Sequence, residues 1–395
     1  MKEFVFSAFE KYSFSCLQLL SSLFMSNYFG MESIGMIASF TLVVAISIGL
    51  CEAGSSFVIM GSNEEKFEEL VYTCMYLSIM IAFFMYILIF LFAPLYTEQF
   101  ATEIDYSKSL RQYAFIIFTT PLQMVSYSTL IKLKKTKVLS IINLIAWVLA
   151  ILFLVFLKYE NLNDHRNVVS YFIILSFLRS IISLIYIFNL IGFKYPQKKY
   201  FKIKFRVSVI TSQLANTITS NIWTFLVAIL VSIESNAVLS IFTKIRDLSS
   251  GNLSHSIHRI VYSRIPQLSS YQRKKLILNW LGKFTFLNSI ILIFIYLLRE
   301  PILFYFGSEL INENNLLIIF PLSVALFYPL TDYLKALLRY FNNSKVLQID
   351  LSILGLVICL YFLKLSLDLS LFLFLIGLFI NGIFVFKNVK KSLPV

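Results

Sequence analysis

The chain is dominated by long apolar runs that are separated by short polar connectors. A bilayer core about 30 Å thick needs about 20 mostly apolar residues per transmembrane helix, and the runs have that length. Hydrophobic residues make up 58% of the chain and the mean hydropathy is +0.79, whereas soluble domains contain about 45–50% apolar residues. These features indicate a chain that lies almost entirely within a membrane. No connector is long enough to fold as a soluble enzyme domain.

Helices are the expected spanning elements, because the runs are continuously apolar and do not alternate as the strands of a membrane barrel do. The predicted spans are residues 5–29, 33–60, 69–94, 109–131, 138–157, 168–191, 207–232, 237–261, 276–298, 316–338, 346–363 and 370–386. The sequence therefore predicts an all-α integral membrane protein with about 12 transmembrane helices.

Basic residues in the connectors predict the orientation of these spans. Most of them fall on one side of the membrane, and the other side holds only Lys108, Arg111, Lys158, Arg166, Arg299 and Lys364. Because Lys and Arg are retained in cytoplasmic loops, both termini are expected to be cytoplasmic. The net charge of +13 is then a signal of topology, and nucleic-acid binding is a poor explanation of it.

Polar residues recur in a way that predicts two halves. Glu32-Ser33 opens the second span and Glu234-Ser235 precedes the eighth. The number of residues that separates these two pairs also separates Lys11, Ser15, Gln18 and Ser22 from Gln213, Thr217, Ser220 and Thr224, in that order. Each set follows i, i+4, i+7, i+11 spacing, which places it in one stripe on a helix. We expect six-helix halves at residues 1–197 and 198–395, arranged as parallel repeats around a central cavity.

Ionisable side chains fall inside the predicted spans, where a lipid-facing charge at the bilayer centre costs about 2.5–3.5 kcal/mol. They are Lys11, Arg179, Lys244, Arg246, Arg259, Lys283 and Lys335, with Glu10, Glu52, Asp247, Asp332 and Asp350. Residues near a cytoplasmic end, such as Lys283, can extend to the interface. The others are expected to face protein or a water-filled cavity.

The eighth predicted span has the most polar face. Lys244, Asp247, Gly251, His255 and His258 share it, whereas Arg246 points away. Two interpretations stay open: a structural Lys244–Asp247 ion pair, or a cavity wall that offers cations to an anionic substrate and titratable groups to a coupling ion. Arg179 is similarly either paired across helices or functional.

Several short motifs resemble those of one family of membrane proteins. They are Tyr28-Phe29-Gly30-Met31-Glu32-Ser33-Ile34-Gly35, Gly49-Leu50-Cys51-Glu52-Ala53-Gly54, Ile241-Phe242-Thr243-Lys244, Tyr262-Ser263-Arg264-Ile265-Pro266 and Phe306-Gly307-Ser308-Glu309. The set resembles Wzx-type polysaccharide flippases, which belong to the superfamily of multidrug, oligosaccharidyl-lipid and polysaccharide exporters. Phe29 replaces the usual leucine, and the proline of the fourth motif is displaced.

The resemblance implies a bacterial inner-membrane flippase for an undecaprenyl-pyrophosphate-linked oligosaccharide, an O-antigen repeat unit, that works by alternating access. The acids inside the spans are candidates for coupling to H⁺ or Na⁺. The cations expected to bind the pyrophosphate are Lys11, Arg179, Lys244 and Arg246. The polar residues expected to line the cavity are Ser15, Gln18, Gln213, Thr217 and Ser220. The residues expected to serve ion coupling are Glu10, Glu52, Asp247 and His255. Membrane lipid and other polysaccharide-assembly membrane proteins are further expected partners, and no cofactor, metal or catalytic residue is expected.

Two alternatives stay open at this point. A drug or metabolite antiporter of the same fold would favour a cavity with fewer cations and more acids. A membrane enzyme of polysaccharide assembly, such as a polymerase, typically has a long external loop, whereas the longest predicted outside connectors are 95–108 and 299–315.

Overall fold

The computed structural model describes residues 2–52, 54–61, 67–100, 104–133, 135–160, 162, 164, 167–197, 207–248, 270–305, 318–324, 352, 355–356 and 367–392. Helices are the regular elements of these ranges. They are α1 (Lys2–Phe29), α2 (Met31–Glu52), α3 (Ser55–Gly61), α4 (Phe67–Thr97), α5 (Ser107–Tyr113), α6 (Ile116–Lys132), α7 (Thr136–Tyr159), α8 (Asn167–Ile191), α9 (Val207–Leu230), α10 (Ile233–Arg246), α11 (Ser270–Leu297), α12 (Arg299–Tyr305) and α13 (Leu367–Ser392).

Within these ranges, five segments are long and apolar enough to cross a membrane: Met31–Glu52, Phe67–Thr97, Ser107–Lys132, Lys137–Tyr159 and Asn167–Ile191. A sixth segment results if the two helices Asn288–Leu297 and Arg299–Tyr305, which are bent by 61° relative to each other, are counted as one span. The expectation of an all-α, multi-pass membrane protein is confirmed. The predicted spans 316–338 and 346–363 lie mostly outside the described residues.

The predicted span 33–60 is interrupted near its end. Its first helix ends at Glu52 and the chain resumes as a helix at Ser55. Between them Gly54 has φ of 71°, a left-handed conformation that glycine adopts without the steric penalty of a Cβ atom. The hydropathy of the run could not reveal this break, because small residues at the break are as compatible with the bilayer as those of the helix.

The predicted span 109–131 is also divided, into α5 and α6. The backbone tightens at the junction, where the N–H of Phe115 donates to the carbonyl of Gln112 and that of Phe118 to the carbonyl of Phe115, at 3.0 and 3.1 Å. Pro121, inside α6, has no N–H for the carbonyl four residues earlier. Short i→i−3 turns are a common adjustment next to such a gap.

A second proline, Pro94, lies inside α4, which continues to Thr97. The carbonyl that it leaves without a helical partner belongs to Phe90. Arg111 of α5 donates its Nε–H to this carbonyl at 3.0 Å, and its guanidinium lies 4.4 Å from the centre of the Phe90 ring. Arg111 therefore satisfies the acceptor that Pro94 leaves open.

Replacing Arg111 with alanine is expected to lower the free energy of unfolding by about 1–3 kcal/mol, because the carbonyl of Phe90 loses its donor. The melting temperature of the detergent-solubilised protein should fall by several degrees. Lys108→Ala, at an exposed position of the same helix, is the matched control and should leave it unchanged. Equal melting temperatures for both variants would contradict the assignment.

Residues 28–236 form one compact unit. In it, α6 packs on α4 and α8, and α7 packs on α8. Leu70, Val125, Leu130, Leu139 and Ile187 meet in its core. The outer faces of α4 and α7 expose large apolar side chains, as helices in contact with lipid do. They include Phe83, Phe84, Leu91, Leu152 and Phe156.

A close helix approach within this unit joins α2 to the first turn of α10. A Cβ atom at Gly35 would lie 1.8 Å from the carbonyl oxygen of Ile233, so only glycine fits there. Asn236 donates its Nδ2 hydrogens to the carbonyl of Gly35 and the hydroxyl of Ser39, at 3.1 and 2.8 Å. Small residues four apart with hydrogen bonds across the contact are typical of close helix packing in membranes.

Polar side chains also join the elements at one end of this unit. The hydroxyl of Tyr106 donates to Glu32 at the start of α2, and the hydroxyl of Tyr96 donates to the carbonyl of Ser39 at 2.7 Å. In the turn before α5, Asp105 accepts the backbone N–H of Ser107 at 2.8 Å. That hydrogen bond holds the pKa of the Asp105 carboxyl below its usual range.

Residues 1–27 and 237–395 form the second compact unit. In it, the side-chain amide of Asn27 donates to the carbonyl of Tyr305 at 2.9 Å, and the rings of Phe320 and Phe374 lie 6.0 Å apart. The two units are defined by packing, whereas the halves 1–197 and 198–395 are defined by a sequence repeat. The division into halves therefore stays a prediction.

Candidate functional site

The candidate site is built around Lys244, in the last turn of α10. Its side chain is half-buried, and its Nζ donates to the hydroxyl of Ser22 on α1 at 2.8 Å. Ser22 is fully buried and donates its own hydroxyl hydrogen to the carbonyl of Gln18 at 3.0 Å. The sequence predicted Lys244 and the polar stripe of α1 as parts of one site. The structure brings the end of that stripe against the lysine.

Lys244 has no carboxylate partner among the described residues. Asp247, the expected candidate, is paired with Arg246 instead: Nη2 of Arg246 lies 2.8 Å from Oδ1 of Asp247, and Nε donates to the same oxygen at 2.9 Å. The Asp247 side chain is 58% exposed. The structural ion pair between Lys244 and Asp247 is therefore not formed, and the partner of the Lys244 ammonium within the described ranges is a neutral hydroxyl.

An ammonium group carries three N–H donors. One of those of Lys244 is directed to Ser22, and no other residue that the structure describes accepts from the remaining two. Because a charge within a membrane is unfavourable unless a partner offsets it, this arrangement favours an anionic ligand. Oxygen atoms of a phosphate are suitable acceptors, since charge-assisted hydrogen bonds are stronger than neutral ones.

The other residues of the predicted stripes are placed only in part. Ser15 is half-buried and Gln18 is exposed on α1, while the side chains of Glu10 and Lys11 lie outside the described part of the chain. On α9, Thr217 is half-buried and its carbonyl accepts the side-chain amide of Asn221 at 2.8 Å. The side chains of Gln213 and Ser220 also lie outside that part.

The residues expected to serve ion coupling are equally scattered. Glu52 is buried at the end of α2, with 6% of its surface exposed. It belongs to the unit 28–236, whereas Asp247 belongs to the other unit. His255 lies outside the described residues. Among the residues that the structure describes, no three His, Cys, Asp or Glu side chains are grouped as metal ligands would be.

Arg179 belongs to the unit 28–236 and does not share a compact unit with Lys244. Its guanidinium lies 5.0 Å from the centre of the Trp147 ring on α7. Its Nε atom is buried and makes no hydrogen bond. Sequence reasoning left open whether Arg179 is paired across helices, and the structure shows that its neighbour is an aromatic ring of α7.

Three contacting residues were absent from the sequence-based site: Ser22 as the direct partner of Lys244, Trp147 as that of Arg179, and Asn236 at the Gly35 contact. The sequence did indicate Ser22, because this residue belongs to the polar stripe of α1. The spacing Gly35-x-x-x-Ser39 was a signal for the close packing of α2. Nothing in the sequence indicated the pairing of Trp147 with Arg179, because it depends on how α7 packs on α8.

A family model described as "Polysaccharide biosynthesis protein" matches residues 28–310. A comparison with curated proteins finds no significant match.

Among solved structures, the chain is similar to the lipid II flippase MurJ in an inward closed conformation, with a TM-score of 0.75 and 18% identity over 100% of this chain and 89% of that one. An inward-facing multidrug-resistance transporter of the MATE family matches with a TM-score of 0.70 and 12% identity, over 95% of this chain and 94% of that one. A further transporter of the same MOP superfamily, from Pyrococcus furiosus, matches with a TM-score of 0.64 and 13% identity, over 99% and 93%.

At these identities the solved structures establish the fold, which is that of the MOP superfamily transporters. The family model covers well over half of the chain. It runs from Tyr28, near the end of α1, to beyond Tyr305, and so includes α2 to α12. The chain belongs to the polysaccharide biosynthesis protein family, as a multi-pass helical membrane protein with the MOP transporter fold.

Proposed function

We propose that this protein flips an undecaprenyl-pyrophosphate-linked oligosaccharide, an O-antigen repeat unit, across the bacterial inner membrane. It works by alternating access, is coupled to H⁺ or Na⁺, and performs no covalent chemistry. Both termini lie in the cytoplasm. The family supports a role in polysaccharide biosynthesis, and the similar fold of a lipid II flippase supports a lipid-linked cargo.

The observation that carries the proposal is the ammonium of Lys244, held by Ser22 with no carboxylate partner among the described residues. A pyrophosphate that crosses the membrane needs a cation to accompany its charge within the bilayer. Two unit charges 4 Å apart attract by about 4 kcal/mol at an effective dielectric constant of about 20, against about 1 kcal/mol in water. A single lysine in this environment therefore stabilises the anionic part of the cargo substantially.

The other predicted residues are assigned supporting roles within the same proposal. Lys11 and Arg246 add positive charge near the pyrophosphate. The hydroxyl and amide groups of Ser15, Gln18, Gln213, Thr217 and Ser220 bind sugar hydroxyls. Glu10, Glu52, Asp247 and His255 take part in coupling to the ion.

The direct test is reconstitution of the purified protein into vesicles that carry the lipid-linked oligosaccharide in one leaflet. A sugar-modifying enzyme added outside reports how much cargo has changed leaflet. We expect the cargo to equilibrate far faster with the protein than in vesicles without it. No acceleration would overturn the proposal.

The same vesicles separate the two alternatives. Formation of longer glycan chains by the protein alone would indicate a polymerase. Export of a cationic drug without movement of the lipid-linked oligosaccharide would indicate an antiporter. In bacteria, deletion of the gene should remove surface polysaccharide and leave the lipid-linked intermediate with its sugar facing the cytoplasm.

A further inference from the structure

Arg179 is a charged residue in the middle of a membrane span. It lies near the centre of the 25-residue helix α8, which is long and apolar enough to cross the bilayer. Its neighbours along the helix on both sides are Ser and large apolar residues. An ionisable residue at this depth usually faces a protein interior or an aqueous cavity and marks a functional position.

The surroundings of Arg179 are aromatic and uncharged. The guanidinium lies 5.0 Å from the centre of the Trp147 ring, and Tyr127 and Tyr171 are close enough to interact with it electrostatically. The hydroxyl of Tyr127 donates to the side-chain oxygen of Asn143 on α7. The rings of Trp147 and Tyr171 are 6.3 Å apart. The aromatic surroundings of Arg179 therefore come from α6, α7 and α8.

No carboxylate of the described part of the chain balances the charge of Arg179. The sequences of α6, α7 and α8 contain no Asp or Glu, and no ion pair joins Arg179 to a carboxylate in the described ranges. A guanidinium keeps its proton in proteins, so the charge persists. The ring of Trp147 attracts it but accepts no strong hydrogen bond, and the buried Nε is left without an acceptor.

The guanidinium itself completes the site. Nε is buried without a hydrogen-bond partner, and the residue as a whole is half-buried. Guanidinium nitrogens form a planar fork that matches two oxygens of a phosphate or carboxylate. The arrangement combines a fixed fork, a rigid aromatic support and an unfilled donor.

We propose that Arg179, supported by Trp147 and Tyr127, is a second anion-binding site, separate from Lys244 and contained within residues 28–236. It binds one oxyanion group, a phosphate or a carboxylate. The group belongs either to a soluble anion or to the phosphate of a membrane lipid, and the two sources share the same chemistry. This site does not depend on the proposed cargo.

Trp147 provides a reporter within the site. The chain has three tryptophans, and replacing Trp223 and Trp280 with phenylalanine leaves Trp147 alone. The purified full-length protein is titrated with inorganic phosphate and with glucuronate, and glucose serves as the uncharged control. We expect saturable changes in Trp147 fluorescence with both anions and none with glucose.

Two variants in this background assign the response. Arg179→Gln should weaken anion affinity by at least about tenfold, since it removes a charge-assisted hydrogen bond. Lys244→Gln should leave the affinity within about twofold, because it changes a residue outside this unit. An unchanged response in Arg179→Gln, or no saturable response to either anion in the parent protein, would overturn the site. Loss of the response in Lys244→Gln alone would do the same.

Two further measurements keep the test decisive. If Arg179→Gln does not fold, Arg179→Lys retains the charge without the planar fork and should bind the anions more weakly than arginine does. Nanodiscs with and without phosphatidylglycerol separate the two sources. A fluorescence change with that lipid, reversed by added phosphate, would identify the lipid phosphate as the occupant. A response to soluble anions that is equal in both nanodiscs would identify a soluble anion.

Discussion

Replacement of Gly35 by alanine is expected to remove most of the folded protein from the membrane. The added Cβ atom would lie 1.8 Å from the carbonyl oxygen of Ile233 and 2.7 Å from its carbonyl carbon. Both are backbone atoms, so no side-chain rotation can relieve the overlap. Overpacking in a tight site costs about 1–3 kcal/mol and occasionally more, and we expect the upper end or beyond, because helices must move apart.

That separation would also break the hydrogen bonds from Asn236 to Gly35 and Ser39. The measurement is the yield and melting temperature of the detergent-solubilised protein. Gly49→Ala on the same helix is the matched control, since its Cβ would lie 3.5 Å from Leu214, an ordinary contact. A Gly35→Ala protein as abundant and as heat-stable as Gly49→Ala would contradict this account of the α2 contact.

Replacement of Lys244 by methionine is expected to abolish transport and preserve the fold. Methionine retains the length and the apolar stem of lysine and removes the charge. Ser22 keeps its hydrogen bond to the carbonyl of Gln18, so the substitution leaves no buried donor unsatisfied. The lost attraction, about 4 kcal/mol at an effective dielectric constant of about 20, predicts a fall of at least about a hundredfold in flipping rate.

The fall is measured in the vesicle assay and as loss of surface polysaccharide in a deletion strain that carries the variant. Lys283→Met is the matched control, because Lys283 is an exposed residue of α11 whose side chain can reach the interface. A Lys244→Met protein that restores surface polysaccharide as well as Lys283→Met does would show that this ammonium does not bind the cargo.

The hydropathy pattern predicted the fold because a bilayer selects strongly for the length of an apolar helix. It predicted the helices within Phe67–Thr97, Thr136–Tyr159 and Asn167–Ile191 to within a few residues at each end. It missed the breaks, since a left-handed Gly54 and the turn after α5 leave the average hydropathy unchanged.

The sequence carried less information about the site. Periodicity placed Lys244 and Asp247 on one helical face, but the α-helix ends at Arg246 and the chain continues as π-helix at residues 247 and 248. The spacing rule of an α-helix no longer holds there, because a π-helix has i→i+5 hydrogen bonds, and Asp247 pairs with its chain neighbour. Periodicity also could not show that Trp147 supports Arg179, since that contact depends on the packing of α7 on α8. The sequence predicted which polar residues lie within a span. It predicted which of them contact each other only for the polar stripe that contains Ser22.

The donation from Arg111 to the carbonyl of Phe90 has a mechanical consequence. If α4 and α5 separated, Pro94 could not supply the missing donor, and the bilayer offers little water to replace it. At the same end of α4, the hydroxyl of Tyr96 is hydrogen-bonded to the carbonyl of Ser39 on α2. The hydroxyl of Tyr106, in the turn before α5, is hydrogen-bonded to Glu32 at the start of α2. We therefore expect these three helices to move as one rigid block during the proposed transport cycle, and any gap through which cargo passes to open along other helix boundaries.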